Sequence, residues 1–224
     1  MKKLIGIIAA LAIGASAFAI EWGVVGGASF NSMTGTVSIG NSSSTAKYDN
    51  VVGARFGAAL DISLTKLLSL QPEAIFHLNN GGKSSSSISA FGLTTTGTTT
   101  YSFSSIEFPV LAKANLSIGS GTLSALVGPT FNLFIGDITT TTTTKSNFSN
   151  STSENKTTTS YEDANWNTFV VGLEAGAEFA FKAGPGKLAI GCVADFDFGD
   201  IAKSDNVTLT RFAITPQVTY YFGF

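Results

Sequence analysis

The amino-acid sequence predicts an all-β protein, an eight-stranded antiparallel up-and-down transmembrane β-barrel. Three observations predict it: apolar side chains alternate with small or charged ones along extended segments, short connections alternate with long ones, and charged residues are scarce. Of the 224 residues, 44% are hydrophobic and 12% are charged. After the N-terminal segment, no apolar run reaches the roughly 18 residues that a spanning helix needs. The apolar side chains are therefore expected on strands.

The N-terminal segment is typical of a secretory signal peptide. Two lysines precede an apolar run over residues 4–13, and residues 17–19 match the A-x-A cleavage pattern. We therefore expect residues 1–19 to be removed as a signal peptide and residues 20–224 to form one barrel domain.

The charge of the predicted mature chain argues against a nucleic-acid partner. Removal of the two N-terminal lysines leaves 11 basic against 15 acidic residues, a formal charge of −4. No basic cluster of the kind that binds phosphate backbones is present in the sequence. The partner we expect instead is outer-membrane lipid, with a monomer as the oligomeric state.

Eight segments are each long enough to cross a bilayer as a tilted barrel strand, which takes roughly 9 to 11 residues. Alternation is clearest in the sixth, where large apolar side chains from Phe169 to Phe181 share one face and Glu174 and Glu178 lie on the other. A lone carboxylate is costly in hydrocarbon, so the small and charged face is the lumen. The segments cover residues 20–33, 51–65, 67–79, 101–118, 122–137, 168–183, 187–201 and 208–224.

The connections predict which end of the barrel is which. Those after the second, fourth and sixth strands are tight, whereas the others are long and polar. This pattern is typical of short periplasmic turns and long outer loops, with both termini on the periplasmic side. Ser/Thr tracts cannot bury a core, so mobile, solvated loops are expected where they occur. The tracts cover residues 40–45, 84–89, 94–100 and 139–160.

A soluble β-sandwich is the alternative fold for the same strands. Its apolar faces would pack against each other. The length of the strands, beyond the usual five or six residues, and the charges that recur opposite the apolar rows favour the barrel.

Four short motifs carry a resemblance to a known family. They are IEFPVLAK at residues 106–113, LVGPTFN at 126–132, GLEAGAEF at 172–179 and YFGF at 221–224. With them the chain resembles the PorT-like outer-membrane β-barrel family of bacteria, which implies the barrel but little about activity. The resemblance also implies that Tyr220, Phe222 and Phe224 form the signal read by the assembly machinery. These aromatic side chains also suit the interfacial girdle of a membrane protein, and the two roles are compatible.

By alternation, the lumen receives eight acidic and three basic side chains. Some carboxyl groups are expected to be protonated and others to pair with the bases. Two interpretations follow: a packed polar core that closes the barrel, or a narrow pore that prefers cations. The residues are Glu21, Arg55, Asp61, Glu73, Glu107, Lys113, Glu174, Glu178, Asp195, Asp197 and Arg211.

Catalysis and metal binding have little support in the sequence. His77 is the only histidine, predicted inward near the outer end of the third strand, at a height similar to Asp195 and Asp197. A polarised imidazole can activate water, but no nucleophile motif accompanies His77, and a solvated side chain is expected. Asp195 and Asp197 have donor atoms for Ca²⁺ with a loop carboxylate such as Asp200, in a spacing common by chance. We expect no enzyme, metal or cofactor.

The functional expectation is a small integral outer-membrane protein with a packed polar lumen and Ser/Thr-rich surface loops, in a structural or surface-interaction role. A narrow cation-preferring pore is the alternative, and an enzyme that uses His77 is a remote one.

Overall fold

A computed structural model describes residues 19–147, 151–198, 200–204 and 206–222 of the chain. The predicted signal peptide, apart from Ala19, lies outside these residues, as does Phe224. Among the described residues we find no helix with the length and apolar character needed for a membrane crossing. The strands are β1 (Ala19–Ile39), β2 (Ser42–Ser63), β3 (Leu68–Ala90), β4 (Leu93–Glu107), β5 (Val110–Ile118), β6 (Gly121–Ser146), β7 (Ser151–Thr159), β8 (Phe169–Ala183), β9 (Gly186–Asp197) and β10 (Val207–Phe222).

The strands close into a barrel whose wall has eight antiparallel positions. We call each position a stave, whether it is filled by one strand or by two strands end to end. β1 pairs with β2 on one side and with β10 on the other, so the ring has no open edge. β4 and β5 lie end to end and count as one stave, since both pair with β3 and with β6. The remaining neighbours are β2 with β3, β6 with β8, β8 with β9, and β9 with β10. The predicted fold class is confirmed.

The two faces of the sheet separate as the alternation predicts. Along β10, Arg211, Thr215 and Gln217 are buried, whereas the apolar side chains of Phe212 and Ile214 between them are exposed. Because period-2 alternation places successive side chains on opposite faces, the exposed apolar rows of all staves form one outer band suited to lipid.

A proline interrupts the stave formed by β4 and β5. Pro109 has no N–H to donate to the ladder, and the strand breaks at Phe108 and Pro109. Neighbouring backbone groups still pair: Phe108 and Phe131 exchange N–H···O bonds of 3.0 and 3.3 Å, and the Glu73 N–H donates to the Pro109 carbonyl at 2.9 Å. The barrel wall therefore remains hydrogen-bonded across the break.

The tight connections occur where the sequence predicts them, at residues 64–67, 119–120 and 184–185. We call this end of the barrel, where the described chain begins and ends, the lower end. At the opposite, upper end, β1 and β2 are joined by two residues, 40–41, and β3 and β4 by residues 91–92. The expectation of long loops is wrong at these two positions.

Where the structure describes them, the Ser/Thr tracts lie mostly in strands, so the expectation of loops is also wrong there. Thr has a high β propensity, and strands that leave the barrel can continue their backbone ladder without an apolar core. Hydroxyl pairs across the strands add to it, as at Ser85–Thr98 (3.2 Å) and Ser89–Thr94 (2.8 Å). The tracts thus extend the staves upward into the solvent.

Three of these extensions and the strand β7 continue the sheet above the barrel. This upper part consists of residues 83–90 of β3, 93–102 of β4, 138–146 of β6 and the strand β7, paired in that order. We call it the Ser/Thr sheet. The β1–β2 hairpin extends separately, because the last described pair between β2 and β3 is Asp49 with Lys83.

Irregular pairing marks the height at which the barrel gives way to these extensions. The register shifts between Asn31 and Met33 on β1, between His77 and Asn80 on β3, and between Ser102 and Ser104 on β4. An inserted residue turns the following side chains to the other face and increases the local twist. Above this height the alternation read from the membrane-spanning part no longer applies.

Candidate functional site

All of the predicted lumen charges except Glu21 lie inside the barrel in three ion-pair groups. The lowest is centred on Lys113, whose Nζ lies 2.8 Å from Asp61 Oδ2 and 2.5 Å from Glu178 Oε1. The ammonium group also lies 4.9 Å from the centre of the Tyr221 ring. The Tyr221 hydroxyl donates to Gln71 Oε1 at 2.9 Å.

The middle group is centred on Arg55. Its Nη1 lies 2.5 Å from Glu174 Oε2, and its Nη2 donates to Glu174 Oε1 at 3.2 Å, a two-point contact that suits the planar guanidinium. The same Nη2 donates to Glu73 Oε2 at 2.9 Å. Gln71 links this group to the lowest one, because its Nε2 donates to Glu73 Oε1 at 2.7 Å.

The upper group is centred on Arg211. Its Nε donates to Asp197 Oδ2 at 2.9 Å and its Nη2 to Asp195 Oδ2 at 2.6 Å. Nη2 also lies 3.7 Å from Glu107 Oε2, which is 3.1 Å from His77 Nε2. The lumen charges are therefore distributed so that each cation meets at least two carboxylates.

This interior is packed. Arg55 and Arg211 are each 1% exposed, and His77, Glu107 and Glu174 are 0% exposed. Eight strands enclose little more than the width of interlocking side chains, which accounts for the lack of room around these groups. Removing one partner from such a group would leave a buried, uncompensated charge. The ion pairs therefore act as non-covalent cross-links that hold neighbouring and opposite strands of the barrel together.

An apolar cluster covers the upper charge group. Phe103 and Phe134 meet edge to face with ring centres 5.2 Å apart, and Tyr161 stacks on Phe134 at 6.0 Å. Burial, with a smaller contribution from the Asp137 carboxylate, raises the pKa of the Tyr161 hydroxyl, so the ring stays neutral at physiological pH. The other buried members are Met33, Ile138, Val170, Ile201, Ala202 and Leu209.

His77 lies elsewhere than predicted. The sequence places it at the water boundary near the outer end of its strand, whereas β3 continues to Ala90 and leaves His77 in the middle of the strand, fully buried. The prediction of a solvated histidine is wrong because the strand end was placed at residue 79. His77 is a lumen side chain beside Glu107, below the apolar cluster.

The suggested Ca²⁺ ligands do not converge. Asp195 and Asp197 hold the Arg211 guanidinium, and Asp200 Oδ1 accepts the backbone N–H of Ala202 (3.0 Å) and of Leu209 (2.7 Å). Asp200 thereby fastens the connection before β10. Within the part of the chain that the structure describes, no three His, Cys, Asp or Glu side chains are arranged to hold a metal ion.

Glu21 lies apart from the three groups. It is half-buried at the lower rim and pairs with Lys187, which is not among the predicted lumen charges. Lys187 is the first position of β9 on the inward-facing side, so the same alternation, continued by one step, would have found it. Three uncharged side chains also join the groups: Gln71, Tyr221 and Asn132, whose Nδ2 donates to Asp197 Oδ1 at 3.0 Å. They carry no charge pattern by which to find them.

The aromatic side chains of the predicted assembly signal lie on the outer face of β10, apart from Phe224, which is outside the described residues. Phe222 stacks on Trp22 with ring centres 4.1 Å apart and meets Tyr220 edge to face at 5.0 Å. The Tyr220 hydroxyl donates to the Ala183 carbonyl at 3.2 Å. Such a ring cluster at the barrel end matches an interfacial girdle.

The family of the chain is identified by a match that covers nearly all of it. A family model described as "Outer membrane protein beta-barrel domain" matches residues 16–224. The chain belongs to this family. The outer band of this outer-membrane β-barrel is accordingly its lipid-facing surface, and the protein resides in the outer membrane. No curated protein matches the sequence.

Several solved outer-membrane barrels are similar to this outer-membrane β-barrel. Neisserial surface protein A is 13% identical, with 90% of this chain and 97% of that one covered and a TM-score of 0.41. Ail, the attachment invasion locus protein of Yersinia pestis, crystallised with the heparin analogue sucrose octasulfate, is 12% identical over 89% and 99%, with a TM-score of 0.27. The outer membrane protease OmpT from Escherichia coli is 10% identical over 92% and 98%, with a TM-score of 0.35. Likeness at this level does not carry a function from those proteins to this chain.

Proposed function

We propose that this protein is a closed outer-membrane barrel with a structural and surface-interaction role, exerted by the extensions above its upper end. The observation that supports this most is the contrast between its two halves. The lumen is filled by buried ion pairs, while the hairpins above it present large apolar side chains to solvent. Ile39 is 75% exposed, Ile88 78%, and Phe91, at the β3–β4 turn, 103%. Large apolar side chains at hairpin tips are free to contact a partner surface, and contact would remove them from water.

The proposal includes how the protein is exported to the outer membrane and how the barrel is oriented in it. Residues 1–19 act as the signal peptide, the lower end with both termini faces the periplasm, and the Ser/Thr sheet faces the outside. The barrel belongs to the PorT-like subgroup of Gram-negative bacteria, inserts as a monomer, and is delivered by the assembly machinery through Tyr220, Phe222 and Phe224. The short turns at the lower end and the aromatic cluster around Phe222 support this orientation.

A narrow, cation-preferring pore is the second candidate. In its favour, the buried lumen carries more acids than bases, as Glu73, Glu174 and Glu178 illustrate. Against it, the Arg55 and Arg211 groups fill the cross-section, and a conducting path would have to break them. We propose no catalytic role for His77, because its imidazole is fully buried below the apolar cluster.

Conductance separates the closed barrel from the pore. We expect the refolded chain, shown to be folded by heat-modifiable gel migration, to give no discrete steps in planar bilayers, since the buried ion pairs leave no continuous water path. Cation-selective steps that fall in Glu174→Gln and Glu178→Gln variants would instead establish the pore.

Attachment tests the surface-interaction role. In cells that display the protein, the double change Ile88→Ser with Phe91→Ser should reduce attachment to a partner surface about tenfold, because two apolar anchors are lost. The matched control is Ser87→Ala, next to Ile88 on the opposite face of the Ser/Thr sheet, which should leave attachment unchanged. Attachment that is insensitive to both changes would refute a role for the hairpin tips.

A further inference from the structure

A pocket of about 370 Å³ lies above the barrel, between the β1–β2 hairpin and the inner face of the Ser/Thr sheet. Its volume is at the lower end of the roughly 300–1,000 Å³ range of small-molecule sites. Gly35, Ala46 and Tyr48 line it from the hairpin, and Tyr101 and Ile138 from the sheet. Trp166 closes it from the connection before β8, Ala202 from the connection between β9 and β10, and Leu209 from β10.

The lining selects an uncharged ligand. None of the lining residues that the structure describes carries a charge. Their polar side-chain groups are the indole N–H of Trp166 and the hydroxyls of Ser44, Tyr48, Tyr101, Thr140 and Thr159. An ion would lose its hydration here without gaining a partner of opposite charge. A molecule with an apolar body and one or two hydrogen-bonding groups would lose little hydration free energy on entering, because the hydroxyls of the pocket can replace its bonds to water.

The aromatic rings of the pocket favour a ring in the ligand. Tyr48 and Tyr101 meet edge to face with ring centres 5.8 Å apart, and Tyr101 lies 6.4 Å from Trp166. Aromatic rings attract one another at centre distances of about 4.5 to 7 Å in edge-to-face and offset arrangements. A flat ring inserted beside these three can meet faces and edges on more than one side.

The position of the pocket disfavours a lipid chain. The outward side chains at the same height are polar, among them Thr36, Thr45 and Lys47, so this level lies beyond the apolar band that contacts lipid. The pocket floor is closed by Met33 and Ile138, each 2% exposed. An acyl chain would have to leave the membrane and fold into a short, blind space.

We propose that this pocket binds a small, uncharged aromatic molecule from the external medium. The ligand enters between the β1–β2 hairpin and β3, where the two parts separate above Asp49 and Lys83. Its ring packs against Tyr48, Tyr101 and Trp166, and its polar group bonds to the lining hydroxyls. The site is independent of the surface-interaction role proposed above, while its exposure to the external medium rests on the orientation proposed there.

Fluorescence of Trp166 tests the proposal. The chain has two tryptophans, so Trp22→Phe leaves Trp166 as the reporter inside the pocket. The probe is 4-nitrobenzyl alcohol, an uncharged ring with one hydroxyl that quenches indole. Two comparison compounds are 4-nitrobenzoate, which adds a negative charge, and 1-octanol, which replaces the ring by a chain. Calorimetry with the unaltered chain gives the same comparison without the Trp22 change.

Two glycines provide a matched pair of variants. A Cβ added at Gly35 would lie 3.4 Å from the Tyr48 ring and 3.7 Å from Leu209, in ordinary contact, so Gly35→Leu fills the pocket with little effect on the backbone. A Cβ at Gly97, on β4 in the Ser/Thr sheet, would meet only Ser86 Oγ at 3.8 Å. Gly97 does not line the pocket.

We expect saturable quenching by 4-nitrobenzyl alcohol, at least about tenfold weaker in Gly35→Leu because the added side chain takes the space of the ring. Gly97→Leu should bind as the parent does, 4-nitrobenzoate should bind far more weakly, and 1-octanol should not compete. Quenching that rises without saturation, or equal binding by both glycine variants, would overturn the proposal. Competition by 1-octanol would make the pocket a site for alkyl chains and overturn it equally.

Discussion

Replacing Val127 by Arg should lower the free energy of unfolding of the membrane-inserted barrel by roughly 2 to 4 kcal/mol. Val127 lies at the middle of the outward row of β6, pairs with Ala112 and Ala175, and is 49% exposed on the lipid face. An arginine there must reach an interface or draw water into the hydrocarbon. Urea unfolding in lipid vesicles measures the change.

The control for this prediction is a series at different depths. Val171 lies near the upper end of the apolar band, opposite Phe131, and Val171→Arg should cost about 0 to 1 kcal/mol. Ile88 lies in the Ser/Thr sheet, outside the band, so Ile88→Arg should have almost no effect. Equal losses at all three positions would mean that depth in the membrane does not determine the cost and that the outer band is misplaced.

Replacing Arg211 by Met should lower the free energy of unfolding by roughly 3 to 5 kcal/mol, because the methionine leaves the buried carboxylates without their cation. Asp195 and Asp197 both contact this guanidinium, and the Glu107 carboxylate lies 3.7 Å from it. Since the contacts join β10 to β9 and to β4, the loss should appear as easier unfolding of the whole barrel. Urea unfolding and the temperature at which gel migration changes both report it.

Two further variants test whether stranded buried charge causes the loss of stability in Arg211→Met. Lys187→Met removes a cation of a rim pair whose side chains are 45% and 30% exposed, and should cost at most about 1 kcal/mol. Adding Asp195→Asn and Asp197→Asn to Arg211→Met removes the stranded negative charges and should restore much of the stability. A loss in Arg211→Met no larger than in Lys187→Met would show that the buried group is not a cross-link.

The membrane-spanning part of the fold was accessible from the sequence because period-2 alternation is strong where one face meets lipid. The outward row of β8 from Phe169 to Phe181 needs no knowledge of neighbouring strands. The extensions were missed because Ser/Thr composition indicates the lack of a core, whereas a β ladder is held by backbone hydrogen bonds. Residues 139–144 have the same composition as a disordered tract and become ordered by pairing with β4 and β7.

For the lumen, alternation predicts whether a side chain points inward or outward. It predicts neither the position of that side chain along the barrel axis nor the residue with which it pairs. It places Arg211 inward, yet the pairing with Asp195 and Asp197 depends on the register between β10 and β9. His77 was misplaced for the same reason, since height was inferred from an incorrect strand end. The pocket above the barrel was beyond sequence reasoning, because Tyr48, Tyr101 and Trp166 come from three distant segments.

The six consecutive threonines at residues 139–144 give the Ser/Thr sheet a property that the barrel lacks. Every step along this part of β6 presents the same side chain to both faces, so sliding it past β4 or β7 exchanges one hydroxyl for another. Its alignment is therefore dictated from below, where the lipid-facing and lumen-facing rows of β6 fit only one way. Such a tract can gain or lose pairs of residues and still form the same hairpins at a different height. The reach of the surface structure can thus change while the membrane anchor stays constant.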